Sequence, residues 1–171
     1  VACGSDRHGQ CTLPELESGL TYTQAAAGEF HTVLIRSDGS AVACGDASVG
    51  QCTFPILEDK LIYTQASAGN LHTVLIRSDH SVVACGSDRH GQCTLPELED
   101  GLTYAQAAAG GVRTVLIRND GSAVACGFDL YGVCALPELE EGLTYVCEEP
   151  RHHRVVVQAV FDGPYVRRRK G

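Results

Sequence analysis

Nowhere does this sequence hold an apolar run approaching the ~20 residues that a membrane-crossing helix needs, so no such helix is encoded here. Apolar residues at helical spacing with flanking caps are also missing, which argues against an α-helical architecture. There is no glycine-rich Walker loop to cradle a nucleotide phosphate, and no serine, histidine and acid trio stands out for acyl transfer. Tryptophan and methionine are absent altogether, and aromatics make up 6% of the chain. The chain starts at Val1, without a methionine and inside a repeating unit. It is therefore expected to be part of a longer protein, and no leader peptide is readable in it.

What the sequence does have is a repeat. The string "VACG" begins at Val1, Val42, Val83 and Val124, a period of 41 residues each time. The units run 1–41, 42–82 and 83–123, followed by a partial copy, 124–149, and a divergent basic segment, 150–171. "GSDRHGQC" at residues 4–11 returns letter for letter at 86–93. The first and third units differ only at Ser18/Asp100, Thr23/Ala105, Glu29/Gly111, Phe30/Val112, His31/Arg113 and Ser37/Asn119. A period of this length indicates a repeat architecture in which neighbouring units complete one another's core.

Within one unit the local signals are β. "LTYTQAAAG" (Leu20–Gly28), "HTVLIR" (His31–Arg36) and "SAVACG" (Ser40–Gly45) are short runs of strand length. "SDGS" between the last two predicts a hairpin, with Gly39 and its counterpart Gly121 accepting the positive φ of the turn. The second unit places His80 in that slot, at a modest steric cost. "GQCTLP" reads as a weaker fourth strand ended by its proline. About 40 residues with four short strands match one propeller blade. The fold class expected is therefore all-β, a partial propeller of three and a half to four blades.

The whole chain is 44% apolar with a net charge of −8. That charge divides into −13 over residues 1–149 and +5 over 150–171. An acidic body repels nucleic-acid phosphates and favours basic protein partners, while the short "RRRK" at Arg167–Lys170 decides nothing by itself.

The combination of Gly-Gln, Ala-Gly-x-x-His-Thr and Ser-Asp-Gly, recurring in register over residues 1–145, resembles the regulator of chromosome condensation repeat. The 41-residue period is similar to the compact version in bacterial propellers of the β-lactamase inhibitor protein II type. The resemblance implies a β-propeller, commonly of about seven blades. This sequence departs from the family pattern in having fewer units and in carrying Arg113 where a histidine is expected. It also has cysteines at positions where relatives carry an aromatic before the glycine and a leucine after the glutamine. An open arc of blades leaves a face uncovered at each end, so self-association is expected.

Candidate chemistry is sparse. Four cysteine pairs at C-x7-C spacing (Cys3/Cys11, Cys44/Cys52, Cys85/Cys93, Cys126/Cys134) would each close a short loop as disulfides, with Cys147 left over. The odd total favours the other reading, small buried residues with free thiols. Cys3, His8 and Cys11 have a zinc-like look, but Val49 and Tyr131 fill the histidine slot in other units, so no metal and no cofactor is expected. His31 and His72 are expected to bond backbone groups and pin the loop into the strand, with Gly28 and Gly69 forming the turn before them. The paired glutamates of "PELE" (Glu15/Glu17, Glu97/Glu99, Glu138/Glu140) read as solvated turn residues.

Function is then expected where the copies differ, because binding sits on loops held by a rigid frame. Those segments are 5–8 and 29–31 with their counterparts, giving Arg7, His8, Phe30, Leu71, Arg89, His90, Arg113 and Tyr131 as partner-binding candidates. The expected role is a non-catalytic protein-interaction scaffold in the cytoplasm or nucleus. The alternative implied by the resemblance is a regulatory propeller of a small-GTPase exchange factor or of a HECT-type ubiquitin ligase.

Overall fold

The computed structural model of the protein describes residues 1–58, 60–129, 134–137, 143–151 and 154–161. The strands form sheets of three antiparallel strands, each sheet taking its outer strand from the start of the following unit. The first blade holds β1 (Tyr22–Ala27), β2 (His31–Arg36) and β3 (Ala41–Gly45) in the order β1-β2-β3. β4 (Tyr63–Ala68), β5 (His72–Arg77) and β6 (Val82–Gly86) form the second blade. The third is made of β7 (Tyr104–Gly110), β8 (Arg113–Arg118) and β9 (Ala123–Gly127). β10 (Leu143–Arg151) and β11 (Arg154–Phe161) follow as a two-stranded hairpin. No helix occurs among the described residues.

The β2–β3 turn forms as its sequence predicts. Gly39 has φ +81°, and its N–H donates to the Arg36 carbonyl at 2.9 Å. Ser40 donates from both its backbone N–H and its hydroxyl to the Asp38 carboxylate. His80 takes the same conformation, φ 65°, in the second blade. Gly39 is needed twice over, because a Cβ there would also overlap the side chain of Ile62 in the next blade. A bulge follows the first residue of each inner strand, between Tyr22 and Gln24 and at the equivalent places.

The expected fourth strand is not one. "GQCTLP" lies in turns and extended chain outside every sheet, and its polar groups are used locally. The Cys11 N–H donates to Asp6 Oδ1 at 2.7 Å, the Thr12 N–H to the Gly9 carbonyl, and the His8 N–H to Gln10 Oε1. A backbone satisfied this way has no row of donors to offer β3.

The core lies between blades. Val33 and Ile35 of the first blade pack with Tyr63, Ala66, Ala68 and Leu75 of the second. Val74 and Ile76 of the second pack in the same way with Tyr104, Ala107, Ala109 and Leu116 of the third. The small residues of "QAAAG" let one sheet approach the β-branched side chains of the last.

Candidate interaction surface

Polar bonds across each seam connect a residue with the following copy. Gln24 Oε1 accepts the Ala66 N–H at 2.6 Å, and Gln65 Oε1 accepts the Ala107 N–H at 2.8 Å. Each glutamine side chain thus caps a backbone donor on the inner strand of the next blade.

His31 Nε2 lies 2.8 Å from Thr73 Oγ1, and His72 Nε2 lies 3.1 Å from Thr114 Oγ1. The single hydroxyl proton of Thr73 goes to the Gln51 carbonyl at 2.7 Å, and that of Thr114 to the Gln92 carbonyl at 2.7 Å. Each threonine oxygen must therefore accept from the imidazole, which fixes the proton on Nε2. Both rings are fully buried, and burial holds each pKa down at about 4. The ring of each histidine thus bonds the next blade rather than the backbone of its own loop. Gly28 and Gly69 close the turn before each histidine, their N–H groups donating to the His31 and His72 carbonyls at 2.8 and 2.9 Å. Neither has a positive φ; a Cβ at either would overlap the imidazole three residues on.

Cysteine chemistry is muted. The eight described cysteines are free thiols. Cys44 Sγ lies 3.4 Å from the Gln10 carbonyl, which also accepts the Thr32 hydroxyl at 2.8 Å. Burial pushes Cys85 and Cys126 up to about 11 and Cys93 up to about 12, which leaves little nucleophilic thiolate near neutral pH. Among the described residues, no group of three or more histidine, cysteine or acidic side chains could hold a metal ion.

At one end of each blade the 29–31 segment of one copy meets the 5–8 counterpart of the next copy. The Asp46 N–H donates to the Phe30 carbonyl, that of Ser87 to Leu71, and that of Phe128 to Val112. Gly45, Gly86 and Gly127, all at positive φ, allow this close approach. Arg7, His8, Arg89 and His90 are exposed there, and Phe30, Leu71 and Arg113 are half-buried. His8 sits edge-on to Phe30 with ring centroids 5.2 Å apart. His90 meets Phe128 at 5.0 Å in the same geometry. Arg113 is held closer to the frame than a free loop residue, its Cγ lying over the open Cα of Gly127. Sequence reasoning missed Phe128 and Val49, both exposed, although each lies in a segment that varies between copies. Tyr131 lies outside the described residues.

The opposite end is acidic. Tyr22 donates its hydroxyl to the Pro14 carbonyl at 2.7 Å, Tyr63 to Pro55 at 2.8 Å and Tyr104 to Pro96 at 2.7 Å, which ties the loop after each of these prolines, Pro-Glu-Leu-Glu in the first and third units and Pro-Ile-Leu-Glu in the second, to the start of the inner strand. Glu15, Glu17, Glu97 and Glu99 are exposed. Asp38, Asp79 and Asp120 titrate below the ordinary carboxylate range because serine hydroxyls and backbone N–H groups bond them.

Sheets stacked through such seams, with turns gathered at two ends, define a partial all-β propeller. Residues 22–51 and 63–92 match the regulator of chromosome condensation (RCC1) repeat. The fold is similar to Prp20p from Saccharomyces cerevisiae, reported with its binding to Gsp1p and histones. That comparison has a TM-score of 0.56 at 20% identity over 66% of this chain and 32% of the other. Yeast RCC1 (Prp20) in the structure with bound Kap60 gives a TM-score of 0.60 at 18% identity, over 88% and 39%. Human WBSCR16 gives 0.56 at 20% identity, over 66% and 36%. The chain thus spans about a third of the length of these structures. No curated protein matches it by sequence. No helix among the described residues is long and apolar enough to cross a membrane.

Proposed function

We propose that this chain is a non-catalytic protein-interaction module, part of a larger propeller, whose partner binds the variable-loop end of the blades. One observation carries the reading: the segments in which near-identical copies differ lie side by side at that end, bonded Asp46 to Phe30 and Ser87 to Leu71. The recurring histidines, threonines and glutamines, by contrast, are mostly spent on seams between blades. Half-buried Phe30 and Leu71 beside exposed arginines supply the mixture of apolar anchor and charge that interaction hot spots use. Protein partners reported for Prp20p support the class of ligand.

The tandem repeats are taken as 1–149 and the basic segment 150–171 as a separate region. The −13 balance of residues 1–149 supports a basic partner. The compartment proposed is the cytoplasm or nucleus, where cysteines stay reduced.

The test is capture of protein partners by the full chain and by a Phe30→Ala, Leu71→Ala, Arg113→Ala variant. The variant is expected to lose capture at least tenfold while its melting temperature stays within a few degrees. Equal capture by both chains would remove this surface as the binding site.

A further inference from the structure

One loop departs from its copies where nothing in the fold asks for it. Between Pro55 and Tyr63 the second unit reads "ILEDKLI", where the first has "ELESGLT" and the third "ELEDGLT". A glutamate and a threonine have each become isoleucine, Ile56 and Ile62, in a loop of unchanged length. Ile56 is 94% exposed and Ile62 42% exposed. The adjacent Leu57 packs against the core of the first seam, so the loop is anchored without Ile56. The second blade has a blade packed on each side, so no missing neighbour accounts for the exposure. Blades also cover one another's faces and leave their end loops open.

The two isoleucines are held at one place. Tyr63 donates its hydroxyl to the Pro55 carbonyl at 2.8 Å, and the Leu61 N–H donates to the Glu58 carbonyl at 3.1 Å. Ile56 and Ile62 therefore flank the two ends of one closed turn. Ile62 also sits between two hairpin tips. Its carbonyl accepts the Ser78 N–H at 2.8 Å, next to Asp79, and its side chain lies over Gly39, next to Asp38. Asp38, Asp79 and Glu58 are exposed carboxylates, whereas Arg36 and Arg77 are half-buried. Lys60 is the exposed cation of the turn; it fills the slot of Gly19 and Gly101 and takes φ 71°, a conformation that a side chain disfavours. A single exposed isoleucine is ordinary. Two on one closed turn, rimmed by charge, have the make-up of a contact surface.

We propose that this turn and the hairpin tips beside Ile62 form a second interaction surface, at the opposite end from the variable loops, for a basic protein segment that carries apolar side chains among its lysines or arginines. The apolar side chains cover Ile56 and Ile62, and the basic ones meet Asp38, Asp79 and Glu58. Lys60 repels a uniformly basic stretch and so favours a mixed one.

The probe is a blocked, fluorescently labelled peptide of three Lys-Leu-Arg-Gly repeats, titrated with the full chain and followed by anisotropy. Saturable binding is expected, weaker as salt rises. An Ile56→Glu, Ile62→Thr chain carries only residues that its own neighbouring copies hold in those slots, so it should fold as the parent does. It should bind about fivefold more weakly, although its added carboxylate alone would favour a basic peptide. Asp38→Asn with Asp79→Asn keeps an acceptor for the capping serines and removes the charge; it should weaken binding about threefold and flatten the salt dependence. The Phe30→Ala, Leu71→Ala, Arg113→Ala chain should bind the peptide as the parent does, which separates this surface from the variable-loop end.

Absence of saturable binding would overturn the proposal, as would equal affinity for a peptide with serine in place of leucine. Indifference to Ile56→Glu, Ile62→Thr would do the same. A dimer of the parent chain that this pair of changes dissolves would make a second copy the occupant and overturn it too.

Discussion

The seams between blades and the loop end of the blades are made from the same repeated sequence, yet they tolerate change very differently. At a seam, a side chain in one copy bonds the next copy, as His31 does with Thr73 and Gln24 with Ala66. A substitution there strands a buried partner one repeat away, so change is affordable only in pairs. The third blade shows such a pair: Arg113 replaces the histidine, and residue 155, one period after Thr114, is valine, which could not have accepted from it. At the loop end the variable side chains meet solvent and each other, as His8 meets Phe30, and their backbone anchors do not depend on side-chain identity. The loop-end segments accordingly vary, Ser5–His8 giving way to Asp46–Val49 in the second unit and Glu29-Phe30 to Gly111-Val112 in the third.

If the seams hold the fold, acid should act on them first. His31 and His72 have a folded pKa of about 4 against an unfolded value of 6.5, with burial the main cause in both. Between those values the unfolded chain binds more protons, so stability is complete above pH 6.5, falls as pH falls toward 4, and levels off below. Each imidazole contributes on the order of 3 kcal/mol over that window. The serine-bonded aspartates, depressed below 3.8, begin to lose their contribution only near and below pH 4. Urea unfolding at pH 7.0 and 4.5 should give a clear loss that a His31→Gln, His72→Gln chain does not share. An equal acid loss in both chains would place the sensitive groups elsewhere.

A smaller effect is expected at Gly69. An alanine Cβ there would overlap the His72 ring, which is locked to Thr114 and cannot swing away. Overpacking of this kind costs about 1–3 kcal/mol. Gly111 lies one residue beyond Gly110, the equivalent of Gly69, and nothing lies within 4 Å of a Cβ built at Gly111, although its φ is +59°. Gly111→Ala should therefore suffer only the backbone strain, about 1 kcal/mol. Denaturant midpoints that rank Gly111→Ala as the more damaging would show that ring contact is not what keeps Gly69 a glycine.

Much of the fold was legible because it is local. "HTVLIR" became β2, His31–Arg36, at its expected limits, and the Asp-Gly turn formed with Gly39 at positive φ. The seams were not legible from one unit. The partner of His31 is Thr73, 42 residues away, and nothing within "AG-x-x-HT" says that the ring turns outward to the next copy. "GQCTLP" failed as a strand because Asp6 and the Gln10 side chain take up its neighbourhood's N–H groups, a competition that strand propensity does not weigh. At the candidate surface, variation between copies singled out segments that the fold gathers at one end of the blades. It could not identify Phe128, whose significance lies in its contact with His90 of the previous loop.

The smallest effects should fall at neighbouring residues of that loop, where contact and exposure can be separated. Arg89 and His90 are adjacent and both exposed, but only the His90 ring meets Phe128, at 5.0 Å and 71°. Edge-on ring pairs contribute about 0.5–1.5 kcal/mol when well packed, and the exposure of both rings puts this one at or below the lower figure. His90→Ala should thus cost about 0.5 kcal/mol or less, and Arg89→Ala should be neutral within the error of an unfolding curve. If partner binding uses this end, the order reverses in a binding measurement. An exposed arginine supplies charge and hydrogen bonds to a ligand, so Arg89→Ala should weaken capture while leaving the denaturant midpoint where it was. Parallel losses of stability and capture at Arg89 would instead assign it to the frame, and the contrast between seam and loop would fail at the position where it should be cleanest.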